Sequence, residues 1–425
     1  MRRQLHRPVV TGRTRLDALL SDLEALYPGA RVSTSTRTGR GAPHERRFRL
    51  LVSGRRPRLL VPTGSPDAIR SAIRRDSAND RLPDVLGRRV VAAVAGSAAG
   101  QFLFRDIVTI GPVGSDSLEH HLATFTGGDV RLSLHSGSAT RANAKPVVGV
   151  HRTTGGEVGF CKVGITPLAA RLVAHEGSAL RLLAAAQLTA LDIPPVLLEH
   201  RWSGHEVLLV GALRGNRGQG RSLPVEAMRA VVEAPGADVQ SLHEGPWSAR
   251  LVEQLSGASP RVAARIRETL DALLRRCGDQ PLVHGGSHGD WGPWNMSWSG
   301  DRPMVWDWER FTQGTPAGVD AAHFSAHTRL RQIGDRQLAR TAVRDAEASV
   351  RVVLAPWSTG VDAEAAARTV VVVYLLELAT RLAVDAHDTG ADLVGQLADW
   401  YLEVAASRLE LTSTPNAVYG SGAAA

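Results

Sequence analysis

The sequence predicts an α+β protein whose strands come early and whose helices come late. Alternating apolar runs of strand length recur between residues 130 and 210. From Pro224 onward, longer runs with helical periodicity take over. One further strand pair interrupts that helical part: residues 294–299 and 303–308 flank the turn Gly300-Asp301-Arg302.

Taken in order, residues 16–27 have helical spacing, and 31–37, 47–53 and 58–61 read as short strands. Ser65-Pro66-Asp67 caps a helix running to about residue 75, and 104–110 is another strand. Residues 115–124 are expected to be a linker. Together 1–125 form an α+β module. Residues 126–212 come next, with strands at 130–135, 147–151 and 157–163. Thr166 opens a helix at Pro167, a residue tolerated in a first turn. Leu168, Leu172, Leu180 and Leu183 give that helix its apolar spacing, with Glu176 mid-helix. Strands at 195–198 and 206–210 complete this part. Residues 213–411 carry helices at 261–277, 319–333, 336–353, 363–385 and 391–409, with few strand signals outside the hairpin. The Gly/Arg run 214–221 reads as a loop, and 412–425 as a flexible tail.

The chemistry concentrates in Ser287-His288-Gly289-Asp290-Trp291-Gly292-Pro293-Trp294-Asn295 and in Val305-Trp306-Asp307-Trp308-Glu309. Phosphoryl transfer from a nucleotide needs a carboxylate to orient the acceptor hydroxyl, and an amide and a second carboxylate to hold magnesium. A hairpin over 294–308 brings Asp307 back beside Asn295, with both oxygen ligands at its open end. Lysine usage points the same way. Of 50 Lys plus Arg, only Lys145 and Lys162 are lysines. A lysine kept in so Arg-biased a chain marks a place for a compact ammonium. Lys162 lies on a strand and Glu176 on the helix after it, the order of a pair that fixes nucleotide phosphates; the bland alternative for Glu176 is a solvated helix face. Lys145 reaches a phosphate or is an exposed loop lysine, and Gly137 and Ser138 beside it could supply backbone donors.

His288-Gly289-Asp290 with Asn295, then Asp307-Trp308-Glu309, resembles the signature of the aminoglycoside phosphotransferase and choline kinase-like family. The protein-kinase forms are H-R-D-x-x-x-x-N and D-F-G; Gly289 and Trp308-Glu309 depart from them toward the small-molecule branch. The resemblance covers about residues 126–410. It implies a bilobal protein-kinase-like fold: a small β-rich nucleotide-binding lobe at 126–212 and a large helical lobe at 213–411 that holds catalytic loop and metal-binding hairpin. The 1–125 module lies outside it. By the same resemblance Asp290 is the catalytic residue, Asn295 and Asp307 bind Mg²⁺, and Lys162 with Glu176 holds the phosphates of ATP or GTP. Val210 and Ala212 fall in the inter-lobe hinge, where backbone groups meet the base. His288 is a structural loop residue. Trp291 is a candidate wall for the acceptor. Asp320, at a helix start soon after the metal motif, is expected to cap or accept hydrogen bonds rather than catalyse. No long activation segment and no A-P-E follow Glu309. The expected activity is therefore a phosphotransferase with an alcohol group on a small molecule as acceptor. A kinase acting on Ser or Thr of a peptide or carrier, and a non-catalytic binding protein, are the alternatives.

Composition bounds the rest. At 425 residues the chain exceeds one average domain. Residues 1–125 hold 21 Arg against 11 acids, a net of +10, within a total of +8. Residues 311–411 hold 9 Arg against 13 acids. The basic character thus belongs to the N-terminal module. It suits an anionic partner, or is a scattered Arg surface in an Arg-biased chain. No nucleic-acid-binding motif accompanies it. Cys161 and Cys277 form no disulfide framework or metal spacing, which suits a reducing cytoplasm. No stretch reads as a signal peptide or a membrane span. Oligomeric state stays open.

Overall fold

The computed structural model describes residues 12–36, 42, 44–53, 56–73, 82–97, 99–135, 145–153, 156–213, 222–357 and 361–412. Ser138, the 214–221 run and the tail from 413 lie outside the described residues. The fold is α+β as expected, with a sheet-rich unit and a helix-rich unit. The first comprises residues 1–185, 191–221 and 294–309; the second comprises 186–190, 222–293 and 310–425.

Elements are numbered along the chain. The strands are β1 (Arg31–Ser35), β2 (Arg46–Ser53), β3 (Arg56–Pro62), β4 (Ile107–Gly111), β5 (Val130–His135), β6 (Val147–Arg152), β7 (Glu157–Gly164), β8 (Val196–Trp202), β9 (His205–Gly211), β10 (Asp238–Gln240), β11 (Leu282–Ser287), β12 (Met296–Ser299), β13 (Arg302–Val305) and β14 (Thr312–Pro316). The α-helices are α1 (Gly12–Leu26), α2 (Pro66–Ile73), α3 (Leu82–Ala95), α4 (Gly100–Leu103), α5 (Leu118–Thr126), α6 (Pro167–Ala185), α7 (Val225–Glu233), α8 (Pro246–Gln254), α9 (Pro260–Cys277), α10 (Val319–Leu330), α11 (Arg336–Leu354), α12 (Ala363–Thr389) and α13 (Asp392–Thr412).

Among the described residues of the sheet-rich unit, nine strands form one antiparallel sheet in the order β1-β4-β2-β3-β5-β6-β7-β9-β8. The N-terminal module is therefore continuous with the strands after it. Its strand β3 pairs with β5 through Leu59↔His135 and Leu60↔Leu134. One apolar cluster spans the join, from Leu19, Leu23 and Phe48 through Leu60 to Leu132, Val150, Cys161 and Leu209. Burial of side chains of this size stabilises by about 1.5–3 kcal/mol each. A polar knot crosses the same join. The buried Glu119 on α5 accepts from Tyr27 Oη at 3.1 Å, from Arg46 Nε at 2.5 Å and from Arg131 at 3.3 Å. Unit boundaries accordingly differ from the expected cut at 125/126, because the strand edge that would end the module is used for pairing. The linker expected at 115–124 is largely α5, capped by Ser117 Oγ, which accepts from His120 N at 3.3 Å.

Helix α6 lies close on β7. Thr166 Oγ1 caps it by accepting from Ala169 N at 3.1 Å. A Cβ added at Gly164 would come within 2.4 Å of Ala170 Cα, so only glycine lets the helix turn back so tightly onto its strand. Hairpin β12–β13 belongs to this unit, not to the helical one where it was expected. Its register is Met296↔Val305 to Ser299↔Arg302. Val305 N donates to Asp192 O at 2.9 Å, and Asp192 N to Pro303 O at 2.9 Å, which ties the hairpin to the segment before β8.

The helix-rich unit is built on α12, buried along most of its length from Ala366 to Ala383, with α9, α10, α11 and α13 packed on it. It also holds a three-stranded sheet, β10-β11-β14, that the sequence did not announce. The Leu282–Ser287 strand carries two glycines, which weaken any strand signal. Among the described residues no helix is long and apolar enough to cross a membrane.

Candidate functional site

Within the sheet-rich unit, β7, α6 and the end of the β12–β13 hairpin converge on one cation. Lys162 on β7 points its Nζ at Glu176 of α6, 2.5 and 2.6 Å from the two carboxylate oxygens. The same Nζ lies 2.6 Å from Asp307 Oδ1. Lys162 is 7% exposed and Glu176 is buried, while Asp307 keeps part of its carboxylate in solvent. Burial alone would lower the Lys162 pKa; the charges of Asp307 and Glu176 outweigh it and hold the ammonium well above its ordinary range.

Asp307 lies two residues past the end of β13 and has φ +69°, a left-handed conformation uncommon outside glycine. Trp306 N donates to Asn295 O at 3.0 Å, so the hairpin closes with Asn295 and Asp307 near its open end, and Asn295 is buried there. Trp308 Nε1 donates to Val305 O at 3.0 Å and locks the next turn of the chain. Lys145 also reaches this region, pairing with the buried Glu309. Both lysines of the chain therefore sit against carboxylates of one cluster. Glu176, Asp307 and Glu309 each offer an oxygen, all within 4.8 Å of one another, an arrangement able to hold a metal ion.

Two expected nucleotide contacts look different in place. Val210 is buried in β9 and paired on both sides, with Phe160 and Val196. Ala212 N donates to Val158 O at 3.3 Å, so its backbone donor is already engaged.

The helix-rich unit holds the other expected carboxylate. Asp290 lies in the loop after β11. Gly289 has φ +77°, and a Cβ there would sit 2.5 Å from Arg310 O; any larger residue would push this loop off its bed. Asp320 on α10 accepts from His288 N at 2.7 Å and from Gly289 N at 3.0 Å, a hydrogen-bonding role as expected. His288 is buried, and its Nδ1 accepts from Asp290 N at 3.2 Å. Asp290 Oδ1 lies 3.2 Å from His323 Nε2 and 3.9 Å from the Arg381 guanidinium. Arg381 also donates to Gly289 O at 3.0 Å. Burial would raise the Asp290 pKa, but the hydrogen bond and charge of His323, then Arg381 and His288, hold it well below the usual carboxylate range. Such a carboxylate stays ionised at neutral pH, able to align a hydroxyl and to take its proton only as the transfer itself proceeds.

Trp291 corrects an expectation. It was expected to line an acceptor wall, but it is 0% exposed, with its ring 5.7 Å from that of His288. A large apolar ring in a polar loop is better used to pin the loop than to face solvent.

The sequence did not single out the contacts of His323 and Arg381 with Asp290, or of Glu309 with Lys145. The signals were faint. His323 lies three residues after Asp320, on the same helical face. Arg381 is a charge inside the apolar run of α12.

No family model and no curated protein sequence matches this chain. Solved structures do show likeness. A thermostable mutant of the aminoglycoside phosphotransferase APH(4)-Ia, in a ternary complex with ADP and hygromycin B, is 16% identical over 71% of this chain and 100% of its own, at a TM-score of 0.48. A putative fructosamine-3-kinase from Haemophilus somnus is 14% identical over 68% and 96%, at 0.40. A choline/ethanolamine kinase family protein from Mesorhizobium loti is 17% identical over 69% and 91%, at 0.39. These are distant likenesses, and the proposed residue roles rest on this chain's own geometry.

Proposed function

We propose that the chain is a phosphotransferase that moves the γ-phosphoryl group of ATP or GTP to a hydroxyl of a small molecule. The observation that carries this reading is the buried Lys162 ammonium held between Glu176 and Asp307. A compact cation fixed by a helix glutamate, beside a carboxylate on a turn, is what binding of a nucleotide's phosphates requires. In this reading Lys162 and Lys145 hold phosphate oxygens, and Glu176 keeps Lys162 in place.

The residues present also fit a hard divalent cation, because Glu176, Asp307 and Glu309 each offer a carboxylate oxygen and Asn295 lies at the same end of the hairpin. Magnesium held by Asn295 and Asp307 would neutralise phosphate charge as it moves to the leaving group. Asp290 orients the acceptor. The acceptor oxygen bonds to the γ-phosphorus as the bond from phosphorus to the β–γ bridging oxygen breaks. The electron pair leaves with the nucleoside diphosphate, and the hydroxyl proton passes to Asp290. Most of the acceleration then comes from positioning and charge neutralisation.

A small acceptor is favoured by the short path from Arg310 to Gly318, which holds only β14 before α10 begins. A peptide would need a longer platform. Sugars, aminoglycosides, amino alcohols and natural-product intermediates are the acceptors to screen.

Thermal unfolding with ATP or GTP, with and without Mg²⁺, tests the donor site. Ligand at a hundred times its Kd adds about 2.7 kcal/mol, seen as a rise of a few degrees. Wild type is expected to show a Mg²⁺-dependent rise that Asp307→Ala loses. No rise with either nucleotide would remove the reading.

A further inference from the structure

One turn of α10 holds three consecutive residues of the loop that carries Asp290. Asp320, at the start of that turn, takes the backbone N–H groups of His288 and Gly289. His323, one turn on and on the same face, meets the side chain of the third residue, Asp290, at 3.2 Å. The imidazole is itself held on two sides. Its ring stacks on His327 at 4.4 Å between centroids and 25° between planes, and meets Tyr374 edge-on at 5.7 Å and 90°. With 2% of its surface exposed, it has little room to turn away. This packing surrounds a residue that touches the proposed base.

We propose that His323 is a positioning residue for the phosphoryl transfer: it anchors Oδ1 of Asp290, so that the carboxylate presents one orientation to the acceptor hydroxyl. The inference rests on the function proposed above. Arg381 supports it from α12, reaching the Asp290 carboxylate at 3.9 Å and Gly289 O at 3.0 Å. A carboxylate free to rotate about its Cβ–Cγ bond samples orientations in which no lone pair faces the hydroxyl, and small misplacements at a reacting centre cost about 100-fold in rate. His323 acts through Asp290, so its loss falls on turnover and spares nucleotide binding.

The test uses water as the acceptor, with phosphate release from Mg²⁺-ATP or Mg²⁺-GTP by the full chain as the readout. His323→Phe keeps the ring that packs on His327 and Tyr374 but removes the Nε2 that faces Asp290. His323→Gln returns an amide N–H close to the place of Nε2. His323→Phe is expected to lower kcat by about 10- to 100-fold, with KM for the nucleotide within about two-fold. His323→Gln is expected to recover most of the loss. Combined with Asp290→Asn, His323→Phe should cost nothing further, because the group it positions is gone. Three results overturn the role: wild-type kcat in folded His323→Phe, equal losses in the Phe and Gln variants, or a loss of nucleotide affinity matching the loss of rate. Failure of the underlying reading looks different. A wild type that releases no phosphate, or an Asp290→Asn variant with full activity, removes the reaction and the positioning role together. An inactive Asp290→Asn beside an unaffected His323→Phe removes the positioning role alone.

Discussion

Asp307 combines a functional carboxylate with a backbone conformation that few residues adopt. Its φ of +69° costs an L-residue of ordinary type about 1 kcal/mol or more. A chain selected for stability alone would place glycine there. The expected outcome is that Asp307→Gly is more stable than Asp307→Ala by about 1 kcal/mol in urea unfolding, since both lack the carboxylate and only glycine relieves the backbone. Neither should show a Mg²⁺-dependent nucleotide shift. Equal stability of the two would mean that the turn is unstrained. At this scale the meeting of Lys162, Glu176 and Asp307 was legible, because a rare lysine, a strand and a following helix can be read from one stretch of sequence and a motif supplies the third partner. His323 was not. Its meaning depends on a loop more than thirty residues earlier in the chain, and a helix histidine read alone is most often a packed ring.

The element that decides the architecture is β3. It is the edge of the N-terminal sheet only in sequence; in space it continues into β5. Residues 126–411 expressed alone would expose the β5 edge and strip Leu60, Phe48 and Leu23 from the apolar cluster that includes Leu132 and Leu209. Open edges and bared apolar faces drive association. The fragment is expected to be insoluble or aggregated, whereas the full chain melts as a folded protein; size-exclusion chromatography of both decides it. A soluble monomeric fragment with a cooperative melt would mean that the module is an appendage. The individual strands were legible from alternation, but this join was not. Only two residue pairs define it, their partners lie about 75 positions apart, and alternation says which face a side chain takes without naming the neighbouring strand. The glycines of β11 hid a strand in the same way, since they leave no side-chain pattern to read.

On the scale of the whole molecule the chain passes repeatedly between its two units, and residues 294–309 return to the sheet-rich one after the helical part has begun. Global stability therefore draws on groups in both, and its pH dependence has an identifiable source. Burial first, then repulsion from His323, Arg381 and Arg331, pushes the His327 pKa down to about 2. In the unfolded chain it titrates near 6.5. Below that value the unfolded state binds more protons than the folded one. The contribution is complete above about pH 6.5 and is lost as pH falls. Asp290 acts in the same direction, but only below about pH 4, where a free carboxylate takes up its proton. Urea unfolding at pH 7, 6 and 5 is expected to show a decline in wild type that is shallower in His327→Phe, by up to about 1.4 kcal/mol per pH unit. Parallel slopes would assign the decline elsewhere. The scarcity of lysine has a consequence for handling the protein as well. An amine-directed label or crosslinker meets only two side-chain targets in 425 residues, and both are buried against carboxylates of the proposed nucleotide site. Whatever lysine acylation does occur will therefore mark, and block, that site.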